Sequence, residues 1–584
     1  MNEEGSYLLF SVGDQDPRPV PGDSEMEIAA GKPVRFDLAS GGHWYGHGFN
    51  HDQPYPLETG EISNDAFAVN NIQSPVWMCS AGCAILAETN ALLQVRLKPG
   101  EGGTLEISCP GDRFVLRFFE GDTLPQAQRK LAAHLGWPGP APEKSMMGDS
   151  IFCTWTQYPR CITQERVLET AAAIREHGYP CSTITLDDRW ESVYGELAFS
   201  DDFPDPQAMI HRLHDMGFSV MLWVTPFVNR EASKFDLLAK KDFLVGRRDG
   251  QGPALFDWWG GTAGLMDITN TEARNWWKMR LVRLKEVVGI DGFKIDGGDA
   301  KYQPDPSESK WFGYRGPSGY ADTLLGLFEE IAPGSCETRT AWLSQRRHII
   351  WRQGGKDSHW GRDNGLAAVV SLGLHMAMMG YDVFMPDMIP GRVQTMKADD
   401  PLPTDELFIR WTEVSAFMPI MQFSYFPWNY GAPAADIALA YARFHKELED
   451  YLFDAAHNRE TPMVRPLWHD YPDGEELYTI PDQYMLGPDL LVAPVLAEGA
   501  VERDVVLPPG EWFDMWTGET HEEGVLEKHP APCPGIPVFV RGSNRELLHY
   551  LQNRLEGFPR DPVPPGTTSA TYAAGIDRNL DVTG

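Results

Sequence analysis

The chain has 584 residues, 42% of them hydrophobic and 23% charged, with 83 acidic against 50 basic side chains and a formal net charge of −33. This is the composition of a folded protein of two to four domains. Its charge excludes nucleic acid and an anionic membrane surface as partners, since both would repel it.

Nineteen Trp and nineteen Tyr serve either a large core or the stacking of flat aromatic faces on sugar rings. The opening stretch, MNEEGSYLLFSVGD, has no basic segment followed by an apolar run. No stretch reaches the roughly 20 apolar residues of a membrane span, and a cytoplasmic protein is expected. Eight cysteines are scattered; Cys79 and Cys83 lie close together, but no Cys/His pair follows at zinc spacing. Free thiols are therefore expected, with no metal and no cofactor.

Residues 1–140 carry short alternating runs such as LLQVRL and RFVLRFF between Gly, Pro and Asp, the pattern of an antiparallel β-sandwich. The proline-rich GWPGPAPEKS then reads as a linker. Over residues 141–460, apolar runs alternate with helical patterns. The runs are SIFCTW (150–155), STITL (182–186), SVMLWV (219–224), GFKID (292–296), SCETRT (335–340), HIIW (348–351), DVFMPD (382–387) and IMQFS (420–424). Helices are expected at ERVLETAAAIREHG, DPQAMIHRLHDMG, TEARNWWKMRLVRLKEVVG, YADTLLGLFEEIA, NGLAAVVSLGLHMAMMG and ELFIRWTEVSAFM. This α/β alternation predicts a (β/α)8 TIM barrel. A doubly wound sheet would want a Gly-rich turn after the first strand, and CTWTQYPR is not one. LYTI, LLVAPVL, RDVVLP and IPVFVRG predict a C-terminal β-sandwich over 461–550, followed by a Pro-, Gly- and Thr-rich tail, 551–584.

Barrel chemistry gathers at the C-terminal ends of the strands. Asp296 falls there in GFKIDGGDA, followed by Gly297 and Gly298, which would admit a ligand close to the backbone. Asp187 and Asp188 end the second strand, Arg339 the fifth and Asp387 the seventh, while Asp357 and Asp363 lie in the loop after the sixth. Carboxylates without a histidine cluster point to acid, base or nucleophile work. Asp-Gly pairs also simply begin turns.

These segments resemble glycoside hydrolase family 31 from about residue 145 to 545. GFKIDGGDA resembles the family's nucleophile strand, and WWGGTAGLMDITNTEARNWW the segment before it. FPDPQAMIHRLHDMGFSVMLWVTPF resembles its second and third βα units, TRTAWLSQRR its arginine strand and GGKDSHWG its acid/base loop. ELFIRWTEVSAFMPIMQFS and DQYMLGPDLLVAPVL resemble the end of the barrel and the following β domain. KDSHWG, MGYDVFMPDMIPG, FMPIMQFSYFPWNY and MVRPLW are nearest to the myogenesis-regulating glycosidase-like branch, which is associated with α-galactosides.

The resemblance implies a retaining, exo-acting α-glycosidase with a small carbohydrate substrate. Asp296 matches the nucleophile and Asp357 the acid/base. At Asp357 the family's Trp-Gly-Asp has become Trp351-Arg352-Gln353-Gly354-Gly355-Lys356-Asp357, a short insertion, so Asp363 is the reserve. Arg339 matches the substrate-binding arginine, Trp259 a tryptophan lining the sugar site, and Asp187 an aspartate that binds hydroxyls, a role Asp188 would share. Retention needs two carboxyl groups about 5–5.5 Å apart, one ionised and one protonated. Lys294, two residues before Asp296 and on the same face, is expected to support its charge. Burial beside Trp360 is expected to raise the carboxyl of Asp357.

Family α-glucosidases have Arg-Asn-His where this chain has Gln422-Phe423-Ser424, which favours α-galactoside over α-glucoside. α-Glucosidase, α-xylosidase, sulfoquinovosidase and α-N-acetylgalactosaminidase stay open, with Arg189 and Lys356 as cations for a sulfonate. A transglycosylase, a catalytically silent sugar-binding protein and assembly into a homo-oligomer also stay open.

Overall fold

The computed structural model describes residues 8–65, 72–305, 308–313, 316–392, 402–457 and 460–570. The N-terminal region forms a six-stranded and a five-stranded antiparallel sheet. In Gln94–Lys98 and Thr104–Ser108 every second side chain is buried, so Val95, Leu97, Leu105 and Ile107 line one face. Phe10, Phe36, Trp44, Trp77 and Phe118 fill the core between the sheets.

The barrel strands are β1 (Ile151–Cys153), β2 (Thr183–Leu186), β3 (Ser219–Val224), β4 (Gly292–Ile295), β5 (Cys336–Thr338), β6 (Ile350–Arg352), β7 (Phe384–Met385) and β8 (Gln422–Phe423). They lie parallel in the order β7-β6-β5-β4-β3-β2-β1-β8. A bridge between Ile389 and Phe423 brings the two edges together. Each strand overlaps one of the eight expected runs, and the sequential order with its bridged edges rules out the doubly wound alternative.

Outside the strands lie α1 (Gln164–His177), α2 (Pro206–Asp215), α3 (Thr271–Arg283), α4 (Pro317–Ile331), α5 (Leu366–Met378), α6 (Asp405–Ala416) and α7 (Ala432–Glu447). Thr163, Asp205, Asn270 and Thr404 cap α1, α2, α3 and α6 by accepting first-turn N–H bonds. No helix separates β5 from β6. Between β3 and β4 the chain adds a three-stranded sheet, Phe227–Asn229, Leu255–Trp258 and Gly261–Leu265. Among the described residues, no helix is long and apolar enough to cross a membrane, and all eight cysteines are free thiols.

The C-terminal region pairs a six-stranded sheet with the two-stranded ribbon Glu502–Leu507 and Gly524–Pro530. LYTI is not the expected strand: Glu475–Thr479 form a 3-10 turn. Tyr478 stacks on Trp468 at 5.4 Å between centroids, and Pro481 just beyond has no N–H for a ladder. A helix, Arg545–Arg554, runs across the expected start of the tail. The chain then returns to the barrel, where Ser569 N–H donates to Asp405 Oδ1 at 2.8 Å. The rest of the tail, 571–584, lies outside the described residues.

The N-terminal sheets dock on α5 through His375. Gly46 N–H donates to its Nδ1 at 3.2 Å, so Nε2 carries the proton and donates to Pro54 O at 3.0 Å. Burial pushes this imidazole down to about 3, because a proton there has no solvation. The folded state therefore refuses a proton that the unfolded chain accepts near pH 6.5. His375 is expected to make stability fall as pH drops from about 6.5 towards 3. His375→Leu should flatten that dependence and lower stability by about 1–3 kcal/mol for each orphaned polar group. Urea unfolding at pH 7 and pH 5 reads both effects; equal pH dependence in the two proteins would contradict the assignment.

Candidate active site

Asp296 stands at the tip of β4, buried, with both carboxylate oxygens held. Arg339, one residue past β5, donates from Nε to Oδ1 at 2.7 Å and from Nη2 to Oδ2 at 3.2 Å. Trp223 of β3 donates from Nε1 to Oδ2 at 3.0 Å. Burial works against the charge, but the guanidiniums of Arg339 and Arg352 and these hydrogen bonds more than reverse it, holding the carboxyl at about 2. Asp296 is thus an anion over the whole neutral range, aimed by a bidentate arginine.

The glycines around it sit against close neighbours. A Cβ on Gly292 would lie 1.7 Å from Ser335 O, so strand contact alone demands glycine there. Gly297 and Gly298 have φ of 68° and 85°, and a Cβ would meet the Phe227 ring at 2.5 Å and Leu324 at 2.4 Å. They turn the chain sharply against apolar walls.

Lys294 does not support Asp296 as expected. Its ammonium meets Asp187 Oδ2 at 2.7 Å and Glu337 Oε1 at 3.7 Å. Glu337 faces Arg352 at 3.3 Å, and Arg352 faces Asp387 at 3.1 Å. Lys294 and Glu337 are register partners across β4 and β5. These side chains form a buried run of alternating charge through the barrel. Three carboxylates share two cations. The excess falls on Glu337, whose carboxyl is raised by burial against the pull of Lys294 and Arg352.

Asp357 lies in the loop after β6. Asp387 Oδ2 accepts the Lys356 N–H at 2.8 Å and so fixes the loop. Asp357 Oδ2 accepts from Asn364 Nδ2 at 3.0 Å, and Oδ1 from Arg392 Nε at 2.8 Å. The expected upward shift is absent. Burial does raise the carboxyl, but the Asn364 and Arg392 donors outweigh it and the group lies below its ordinary range. Asp363, the reserve, has a side chain 80% exposed and 3.8 Å from His359.

Trp360 lines a groove of about 500 Å³ together with Pro481, Val495 and Arg503 of the C-terminal region, with neither carboxylate in the lining. Trp259 stands in an aromatic cluster, 4.8 Å from Trp258, 5.6 Å from Tyr302 and 6.5 Å from Trp223 between centroids. Asp187 is spent on Lys294, Cys153 and the Asp188 N–H. Asp188 accepts from Tyr194 OH at Oδ1, while its Oδ2 is buried with no hydrogen-bond partner. Burial, together with the negative charge of Asp187, pushes Asp188 up to about 6 against the Tyr194 bond.

Sequence reasoning missed several residues here. Trp223 and Glu337 sit inside strand runs, Arg352 one residue past HIIW, and Arg392 and Asn364 in loops. Asp299, the second aspartate of GFKIDGGDA, is buried and pushed up to about 7 by burial against the nearby Arg339 charge; its place in a motif already singled out was a readable signal. Among the described residues no cluster of His, Cys, Asp and Glu could hold a metal ion.

Comparison with known proteins bears on this arrangement. The model of the glycosyl hydrolases family 31 TIM-barrel domain matches residues 140–455, and that of the family 31 C-terminal domain residues 460–544. The model of the myogenesis-regulating glycosidase N-terminal domain matches residues 24–113. The chain is 31% identical to the myogenesis-regulating glycosidase of Mus musculus over 88% of its own length and 77% of that protein. It is 30% identical to the 1,3-alpha-isomaltosidase of Kribbella flavida over 67% of its length and 60% of that protein. Its fold matches a family 31 alpha-xylosidase from a soil metagenome, solved with xylose, with a TM-score of 0.75 at 24% identity, covering 92% of this chain and 82% of that one.

The charge run generates a stability prediction. Lys294→Met leaves Asp187 and Glu337 as buried carboxylates short of a cation, which should cost about 3–5 kcal/mol. Adding Asp187→Asn should restore part of the loss. The urea midpoint reads this; an unchanged midpoint for Lys294→Met would refute the coupling.

Proposed function

Because the chain belongs to glycoside hydrolase family 31, we propose that it is a retaining, exo-acting α-glycosidase whose preferred substrates are α-galactosides. The observation that carries this reading is Asp296, an anion buried at a strand tip and aimed by Arg339 and Trp223. Such a carboxylate attacks the anomeric carbon as the C1–O bond breaks, giving a glycosyl ester on Asp296. Asp357 protonates the departing oxygen, then takes a proton from water, whose oxygen attacks the ester carbon C1 and releases the sugar with its configuration retained. To hold that proton, Asp357 must exchange at least one of its two donors for the glycosidic oxygen. Arg392, whose side chain is 45% exposed, is the easier one to displace.

The sugar preference rests on the likeness to the myogenesis-regulating glycosidase and on the wall near β8. Ser424, where α-glucosidases of the family have histidine, accepts the Thr156 N–H at 2.8 Å and so braces the loop after β1. One donor for an equatorial 4-hydroxyl is therefore gone. A sulfonate is less well served. Lys356 is buried over the Phe49 ring at 4.2 Å and pushed down to about 7 by burial against the pull of Asp387 and Asp357. Arg189 is exposed and lies over Tyr194.

On a panel of p-nitrophenyl α-glycosides, the galactoside should show the highest kcat/KM; a tenfold advantage for the glucoside, xyloside or sulfoquinovoside would overturn the preference. Asp296→Ala should retain less than about a hundredth of wild-type turnover, and azide with an α-glycosyl fluoride should then yield the β-azide. Asp357→Ala should slow poor leaving groups far more than p-nitrophenol. If Asp363→Ala shows that dependence instead, the acid role moves there.

A further inference from the structure

Resting on the reading of Asp357 as acid/base, we propose that His51, reaching into the barrel from the N-terminal domain, is a positioning residue that aims this carboxyl through Asn364. The chain of contacts is direct. His51 Nδ1 lies 2.6 Å from Asn364 Oδ1. The amide nitrogen of Asn364 donates to Asp357 Oδ2 at 3.0 Å and to Gly355 O at 2.8 Å. With both its N–H groups given away, Asn364 can only accept at Oδ1, so His51 must carry its proton on Nδ1. The histidine thereby selects the orientation of the amide. A flipped amide would set its oxygen against the Asp357 carboxylate and repel it.

Two further features hold this arrangement. Phe49, two residues before His51, covers the Lys356 ammonium at 4.2 Å, and that ammonium reaches the same Asn364 Oδ1 at 3.4 Å. Asn364 has φ of 84°, a left-handed conformation that asparagine tolerates better than most residues. The groups facing His51 are Lys356, Asp357, Arg339 and Asn364. Burial and the Lys356 charge push its imidazole below the ordinary range, so it stays neutral, with one donor and one acceptor. The N-terminal sheets thus do more than brace the barrel: one of their loops completes the acid's surroundings.

A leaving-group test separates positioning from mere stability. Wild type, His51→Phe, His51→Gln, Asp357→Ala and the His51→Phe/Asp357→Ala double variant are compared. The substrates are the p-nitrophenyl α-glycoside cleaved fastest among the galactoside, glucoside, xyloside and sulfoquinovoside, and the methyl glycoside of the same sugar. His51→Phe should lower kcat/KM on the methyl glycoside by about tenfold or more and on the aryl glycoside by less than about threefold. His51→Gln, which keeps a donor, should recover most of the loss. In the Asp357→Ala background, His51→Phe should have no further effect. If His51→Phe folds poorly by circular dichroism, His51→Ala takes its place. Equal losses on both substrates, no loss, or additive losses in the double variant would overturn the positioning role. If Asp357→Ala itself shows no leaving-group dependence, the acid assignment fails, and this inference falls with it.

Discussion

Everything about this site depends on the buried run Asp187–Lys294–Glu337–Arg352–Asp387, which carries charge from the end of β2 to the end of β7. Isolated ions at such depth would be intolerable, and each is admitted only because its neighbours have the opposite sign. The run does two things at once. Arg352 adds to the field that keeps Asp296 ionised. Asp387 ties down Lys356, and with it the loop that carries Asp357. Both carboxylates are thus referred to one rigid frame, as a reaction needing angstrom-level placement requires.

The opposed behaviour of the two carboxylates follows from where their partners sit. Asp296 is gripped by Trp223 of β3 and by Arg339 just past the end of β5. Asp357 is gripped from loops, and one of its donors, Arg392, is 45% exposed. The first keeps its charge throughout. The proposed acid/base role asks the second to trade a partner for a substrate oxygen.

The barrel was readable because most strands are short apolar runs closed off by turn residues, and six intervening segments carry a helical period. GFKID was readable twice over, as a strand and as a motif. What could not be read depends on closure of the sheet. No spacing rule brings Lys294 to Asp187, more than a hundred residues away, or sends Glu337 of SCETRT inward to meet it. The same holds for Asp357. Its sequence neighbourhood suggested a raised carboxyl, but Asn364 and Arg392 approach from loops whose course no local pattern fixes. LYTI failed for a simpler reason: its apolar alternation served stacking on Trp468 rather than a ladder.

The central claim is that Asp296 is the nucleophile because its surroundings keep it charged and aimed. The most direct test is trapping with 5-fluoro-α-galactosyl fluoride or its glucosyl counterpart, followed by intact mass and peptide mapping. One glycosyl unit per chain, on the peptide containing Asp296, is the predicted result. A label on Asp299 or Asp357, or turnover of the fluoride with no ester at any carboxylate, would contradict it.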